Sequence, residues 1–302
     1  MSRLTVTGAG GYLGGAVAAA AGDVRCVVRR PTAGLPGETC VIGDLQVEAS
    51  RALAGSRAVV HLAAPNEVRT AADPRRAVAE ATGTARAVAA ACAALGVKRL
   101  VYVSTVHVYG AALAPGAVVD ETTRPQPRQP YATARLASEE AIVGAAGDCE
   151  VVVLRLTNAV GPPPRPSVDR WTLVANDLCR QAAREATLRL RSSGLQWRDF
   201  IALPDVTRAV LAAADGLIRP GTFNLGSGVS VTVLDLAGMV ADAAAHIGLP
   251  RPEVIRGTEG PAEAAPPFQV SVARLREEGF GPGASLEQAL QETIDFCRRH
   301  AG

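Results

Sequence analysis

The run Thr7-Gly8-Ala9-Gly10-Gly11-Tyr12-Leu13-Gly14 lies between an apolar segment at 3–6 and an alanine-rich stretch at 14–21, and nothing else restricts the fold of this chain so tightly. Glycines at 8, 11 and 14 let the backbone turn sharply at a strand end and let another group approach it closely. The helix after the turn offers it free N–H groups and the positive end of a dipole. Its natural occupant is an anion, a pyrophosphate in particular. Strand, glycine turn and helix in this order predict a dinucleotide held at Gly8, Gly11, Tyr12, Leu13 and Gly14.

Apolar runs and helix-length stretches then alternate. Strands are predicted at 3–6, 24–28, 39–42, 58–62, 100–104, 151–154 and 222–225, and helices at 14–21, 77–95 and 131–145. The strands read as short apolar, β-branched runs, as expected where a sheet is covered on both faces. The fold class this implies is α/β, a Rossmann-type doubly wound parallel sheet. After Asn158 the pattern changes. The proline-rich stretch 161–166 can neither continue a helix nor enter a central strand. Further helices are predicted at 171–185, within 199–214 after RDFIALPDV, at 233–247 and at 286–300. These form a smaller, interleaved C-terminal lobe facing the substrate. Residues 1–158, with about 199–226, are assigned to the dinucleotide-binding domain, and 159–198 with 227–302 to the substrate lobe.

Bulk composition removes other function classes. Hydrophobic residues make up 48% of 302, enough for a sizeable core, and a net charge of +2 without a basic block argues against a nucleic-acid partner. The cysteines Cys26, Cys40, Cys92, Cys149, Cys179 and Cys297 form no CxxC pair, so no metal site is expected. Most sit in apolar runs and read as buried thiols. No apolar run is long and clean enough to span a bilayer. The glycine turn begins within ten residues of Met1, so no signal peptide is expected. A cytoplasmic protein with reduced thiols is expected. Of the 31 basic residues only Lys98 is lysine, so an arginine at any one position is weak evidence for a special role.

At the end of the second predicted strand stand Arg29 and Arg30. An acidic residue there would bind the adenosine ribose hydroxyls, whereas arginine pairs with a 2′-phosphate. NADP(H) is therefore favoured over NAD(H), with a solvated arginine as the alternative. Asp44 and Leu45 come after the third strand, and Leu62, Ala63 and Ala64 after the fourth. That carboxyl edge faces the ligand in open α/β sheets.

At this point the chain resembles the extended short-chain dehydrogenase/reductase family, in its nucleotide-sugar epimerase, dehydratase and ketoreductase branch. TGAGGYLG is similar to the family's TGxxGxxG, Asp44-Leu45 to its adenine-binding pair, and His61–Ala64 to its HLAA loop. VSTVHVYG (103–110), PYATAR (130–135), RLTNAVGP (155–162) and RDFIALPDV (198–206) resemble SSxxVYG, PYxxSK, RxxNxYGP and RDFVHVDDV, in the same order. The resemblance implies that Thr105 hydrogen-bonds the substrate oxygen, that Tyr131 is the general acid/base, and that Arg135 stands where the family has lysine. Tyr131 and Arg135 would also hold the nicotinamide ribose. Thr105, His107, Asn158 and Arg198 would face the substrate, a nucleotide sugar.

The chemistry is consistent with those residue types. Hydride transfer to a ketone builds charge on oxygen, and a phenol held against it can supply the proton. A free phenol, with a pKa of about 10, is a poor base at neutral pH, and a nearby cation favours its ionised form. Four residues of helix bring Arg135 onto the face of Tyr131. Arginine does not simply replace lysine. Three readings stay open: Arg135 does the lysine's work imperfectly, does it with altered geometry for a special substrate, or marks a tyrosine that no longer works.

Other departures narrow the reaction. Where the family's 4,6-dehydratases carry an Asp-Glu pair after the threonine, this chain has Val106-His107, which disfavours dehydration. His107 is either a second proton donor or a packed histidine. Glu80 replaces an asparagine of the long helix that supports the tyrosine's loop. Asn158 is either a sugar-diphosphate contact or a turn residue. Arg198 either pairs with phosphates, as a guanidinium fork suits them, or pairs with Asp199. Trp197 either stacks on the substrate or lines the interface.

Reduction of a keto sugar is the leading expectation. An epimerase with tightly bound NAD(P) and a catalytically weak NADP-binding sensor are the alternatives. A homodimer is expected through the helices at 77–95 and 131–145.

Overall fold

A computed structural model describes residues 3–300. Its elements, in chain order, are β1 (Arg3–Thr7), α1 (Tyr12–Ala20), β2 (Val24–Val28), β3 (Glu38–Val41), α2 (Leu45–Leu53), β4 (Ser56–His61), α3 (Glu67–Ala72), α4 (Pro74–Ala94) and β5 (Arg99–Thr105). A 3-10 segment (Val106–Ala112) leads to β6 (Val118–Val119), α5 (Pro130–Ala145), β7 (Glu150–Leu156) and β8 (Asn158–Val160). Then come α6 (Val174–Arg184), β9 (Thr187–Arg189), β10 (Trp197–Ala202), α7 (Leu203–Ala214), β11 (Gly221–Leu225) and β12 (Ser230–Thr232). The chain closes with α8 (Val233–His246), β13 (Glu253–Ile255), β14 (Gln269–Val270), α9 (Ala273–Glu277) and α10 (Leu286–Arg299).

All seven strands expected from the sequence enter one parallel sheet, in the order β11-β7-β5-β4-β1-β2-β3. The order reverses between β1 and β4, and a ligand crevice opens at the carboxyl ends of the strands at such a point. Alternate strand residues go to opposite faces. Leu4, Val6, Val60 and Val103 pack with Val17 of α1 and Val206 and Val210 of α7. Val27, Val59, Leu100 and Tyr102 pack with Leu53 of α2, Val88 of α4 and Ile142 of α5. Burial on both faces explains why these strands read as continuous apolar runs.

The helices differ from expectation mainly at their ends. The long helix starts at Pro74, three residues earlier than predicted, because Asp73 caps it by accepting the Arg76 N–H and proline suits the first turn. Asn66 caps a separate short helix, α3, before it.

A second core gathers Leu178 of α6, Val240 of α8, Leu290 of α10 and Phe200 of β10. Of the expected segment near 199–226, β11 joins the large sheet and α7 packs beneath it. The strand Trp197–Ala202 instead pairs with β8 and β12 in a three-stranded sheet. All six cysteines are free, and five of them are buried.

Candidate active site

The glycine turn is built by close backbone contact. Gly8 has a φ of 74°, and a Cβ there would lie 2.8 Å from the Ala63 nitrogen. A Cβ on Gly14 would lie 2.2 Å from the Gly8 carbonyl oxygen, so α1 can start against the turn only with glycine at that position. No side chain caps α1 at Gly11, which leaves the first N–H groups of the helix open toward an anion.

A cleft of about 750 Å³ opens over this turn. Gly8, Gly11, Arg29, Arg30, Asp44, Leu45, Leu62, Ala63 and Ala64 all line it, at the carboxyl ends of β1 to β4. Asp44 also caps α2, accepting the Gln46 N–H at 2.8 Å. Three candidates of the glycine turn stand apart from the lining. Gly14 is used up in packing. Leu13 packs onto the main core. The Tyr12 phenol is buried and donates to the Gly161 carbonyl at 2.7 Å, and burial pushes its pKa up. Only the backbones of Tyr12 and Leu13 remain for a phosphate.

Arg165, which sequence reasoning missed, fastens the proline-rich loop onto the turn by donating to the Gly10 carbonyl at 2.9 Å. A partner some 155 positions away in sequence leaves no local signal. Glu80 also departs from expectation. It lies inside the cleft, 3.5 Å from Arg29 and 3.1 Å from Arg69.

The loop after β4 is held by Thr7. Its Oγ1 accepts the Leu62 and Ala63 N–H groups and lies 2.7 Å from His61 Nδ1. Burial, and next the charge of Arg135, push the His61 pKa down to about 3. His61 is therefore a neutral ring at ordinary pH, and it stacks on Tyr102 with centroids 5.7 Å apart.

Thr105 ends β5 and is buried. Its Oγ1 accepts the His107 N–H at 3.3 Å, which leaves the hydroxyl proton free. Tyr131 sits in the first turn of α5, next to Pro130. One turn on, the Arg135 guanidinium lies 5.0 Å from the centre of the Tyr131 ring, and its Nη1 is 3.4 Å from the Tyr102 hydroxyl. Burial works against the charge of Arg135, but Tyr131 and Tyr102 hold the guanidinium above its ordinary range. Tyr102 was not among the sequence candidates, because a tyrosine inside a buried strand reads as core.

A second cleft of about 200 Å³ brings His107, Asn158 and Arg198 together with Gln129. Arg198 donates to the Trp197 carbonyl at 2.8 Å and has no carboxylate partner among the described residues. Burial lowers its pKa. Asp199 lines the same cleft, but its carboxylate accepts from Thr157 Oγ1, the Ser227 N–H and the Gly228 N–H at 2.8–3.1 Å. Burial, and next the charge of Arg198, lower the His107 pKa. Asn158 donates to the Asp199 carbonyl at 2.8 Å and so ties β8 to β10. Trp197 Nε1 donates to the Ala265 carbonyl at 2.6 Å.

Thr105, Tyr131 and Arg135 line neither cleft themselves. Arg135 acts on His61, whose successors line the larger cleft, while Gln129, two residues before Tyr131, and His107, two after Thr105, line the smaller. The three residues thus adjoin, along the chain or by charge, residues that line each cleft.

Beneath them, buried Arg155 of β7 pairs with Glu139 of α5 at 2.7 Å. Glu139 also accepts from Ser104, the neighbour of Thr105. The signal that could have found this anchor is Arg155 inside the apolar run of β7.

Residues 4–226 match the model of the NAD dependent epimerase/dehydratase family. The chain belongs to that family. Among curated relatives, it is 34% identical over 217 residues to a dTDP-6-deoxy-L-talose 4-dehydrogenase (NAD(P)(+)) of Kitasatospora kifunensis, covering 69% of this chain and 66% of that protein. It is 30% identical over 180 residues to a dTDP-L-rhamnose 4-epimerase of Burkholderia thailandensis, covering 57% and 47%. The chain thus spans less than two thirds of these relatives' lengths. The structure of MoeE5 in complex with UDP-glucose and NAD superimposes with a TM-score of 0.80 at 26% identity, over the full length of both chains. Family members of this kind bind NAD(P), and the larger cleft has the form and the open helix N-terminus that such a dinucleotide needs. Among the described residues no acidic, cysteine and histidine cluster suits a metal, and no helix is long and apolar enough to cross a membrane.

Proposed function

We propose that the protein reduces a keto sugar carried on a nucleotide, a 4-ketoreductase type of reaction, with NADPH as the preferred donor. The observation that carries this reading is the Arg135 guanidinium 5.0 Å from the Tyr131 ring, with Gln129 of the preceding turn lining the pocket that holds Arg198. When bound, the nicotinamide supplies a hydride to the carbonyl carbon. Tyr131 then gives its phenolic proton to the carbonyl oxygen, and Arg135 stabilises the phenolate left behind. The free hydroxyl proton of Thr105 is available to the same oxygen. In the larger cleft, Gly8, Gly11 and the first N–H groups of α1 hold the pyrophosphate, Asp44, Leu45 and Leu62–Ala64 flank the adenosine side, and Arg29 and Arg30 take a 2′-phosphate. In the smaller cleft, Arg198 pairs with the sugar diphosphate, and Asn158 and His107 bound the sugar.

The two residues after Thr105 support this reaction class. Val106 is buried and apolar, and burial and Arg198 disfavour the charged form of His107, so the pair is a poor substitute for the carboxylic acids that expulsion of a hydroxyl uses. The relative named as a 4-dehydrogenase of a dTDP-6-deoxysugar points to the same carbon and to a deoxysugar nucleotide. One observation favours a second reading, an epimerase that keeps its NAD(P). Tyr12 and Arg165 fasten the 161–166 loop to the glycine turn, which would slow cofactor release. Denaturing the purified protein and identifying any released nucleotide by mass separates the two. A reductase releases none in stoichiometric amount, whereas one NAD(P) per chain supports the epimerase.

We place the protein in the cytoplasm, where its cofactor and reduced thiols belong. We also expect a homodimer through the outer faces of α4 and α5, where Val143 is 66% exposed. Sedimentation that gives a monomer would contradict the dimer.

A further inference from the structure

Arg29 comes directly after β2, at the position where an acidic residue would take the ribose hydroxyls. Its guanidinium is 62% exposed and lies 3.5 Å from Glu80 of α4. Glu80 is only 28% exposed, and its other oxygen lies 3.1 Å from Arg69 of α3. All three side chains line the dinucleotide cleft. A carboxylate on the cleft face of α4 is unusual company for a phosphate. One negative charge is shared by two arginines, and a 2′-phosphate carrying about −1.5 to −2 charges would have to take Arg29 from it. A ribose hydroxyl would face no such competition, because a carboxylate accepts its hydrogen bond.

We propose that Glu80 sets the cofactor preference by competing with a 2′-phosphate for Arg29, so that the cleft accepts NADH as well as NADPH. Glu80 acts through Arg29 and is a specificity-determining residue, not a catalytic one. The inference rests on the reading that Arg29 takes the 2′-phosphate.

The test is a titration of NADPH and of NADH into the wild-type chain, Glu80→Gln, Arg29→Ala and the double variant. Glutamine keeps the shape of Glu80 and removes its charge, and thermal unfolding checks that each variant is folded. Because the pair is partly exposed, Glu80→Gln should tighten NADPH by about threefold to fivefold and leave NADH within about twofold. The gain should shrink at high salt, and it should vanish in the Arg29→Ala background. Arg29→Ala alone should weaken NADPH by about tenfold, a charge-assisted contact being lost, and spare NADH. If Glu80→Gln leaves the NADPH-to-NADH ratio unchanged while Arg29→Ala lowers it, this inference fails and the reading of Arg29 stands. If Arg29→Ala also leaves the ratio unchanged, the reading of Arg29 fails with it. A gain that persists in the double variant puts the effect on Arg69 and overturns the proposal.

Discussion

At the scale of single residues, the proposed catalysis turns on Tyr131 and the arginine one helical turn on. Arg135 touches two phenols, Tyr131 and Tyr102, and lies close enough to His61 to depress its pKa. Tyr131→Phe should lower kcat by about 10²- to 10⁴-fold, the usual contribution of a positioned acid, with cofactor binding kept. Unchanged turnover would remove the assignment. Arg135→Lys should retain cofactor binding and part of the activity, since a cation remains on the same helix face. His61 gives a pH signature. Its folded pKa of about 3 lies below the ordinary value of 6.5, so the unfolded chain binds the extra proton between those limits. Stability contributed by the neutral ring is complete above about pH 6.5 and is lost as pH falls toward 3, at up to about 1.4 kcal/mol per pH unit. Thermal unfolding tracked across that window, with His61→Gln as the reference, should show a flatter profile for the variant. Sequence alone brought Tyr131 and Arg135 together, because helical spacing is local information. It could not supply Tyr102 or the neutral state of His61, which come from neighbours on other strands.

At the scale of elements, α5 carries Tyr131 into place and is itself fixed from below. Glu139 and Arg155 are both more than nine-tenths buried and meet at 2.7 Å, and Arg155 also lies over the Tyr109 ring. Removing one partner leaves the other charge buried and unpaired, so Glu139→Gln should cost about 3–5 kcal/mol of stability in a denaturant melt. A loss below about 1 kcal/mol would mean that water reaches the pair. The seven sheet strands were legible because each is a short apolar run buried on both faces. The short pairings β6 with β14 and β9 with β13 were not, since two or three residues carry no period to read. Helix starts shifted where a cap decided them, as Asp73 does for α4.

At the scale of the whole molecule, function depends on contacts between distant stretches of chain. Tyr12 and Arg165 join the glycine turn to the loop at 161–166, and Arg198 reaches a pocket whose wall begins at Val106. Arg165→Ala removes donors to the Ala9 and Gly10 carbonyls without touching the adenosine end of the cleft. It should weaken NADH and NADPH alike, by about threefold to tenfold in a binding titration. Unequal effects would contradict a role confined to the turn. The glycine motif and the strands of the parallel sheet were readable from the sequence. The Glu80 contacts with Arg29 and Arg69, the free state of Arg198 and the Arg165 fastening all required the folded chain, because each joins segments that no local pattern relates. The central claim is that Tyr131 and Arg135 serve reduction of a keto sugar nucleotide. Its most direct test monitors NADPH absorbance when a dTDP-4-keto-6-deoxysugar is added to the purified protein. The expected result is one NADPH consumed per carbinol formed. The claim is contradicted if the sugar is isomerised, or left untouched, with no NADPH consumed.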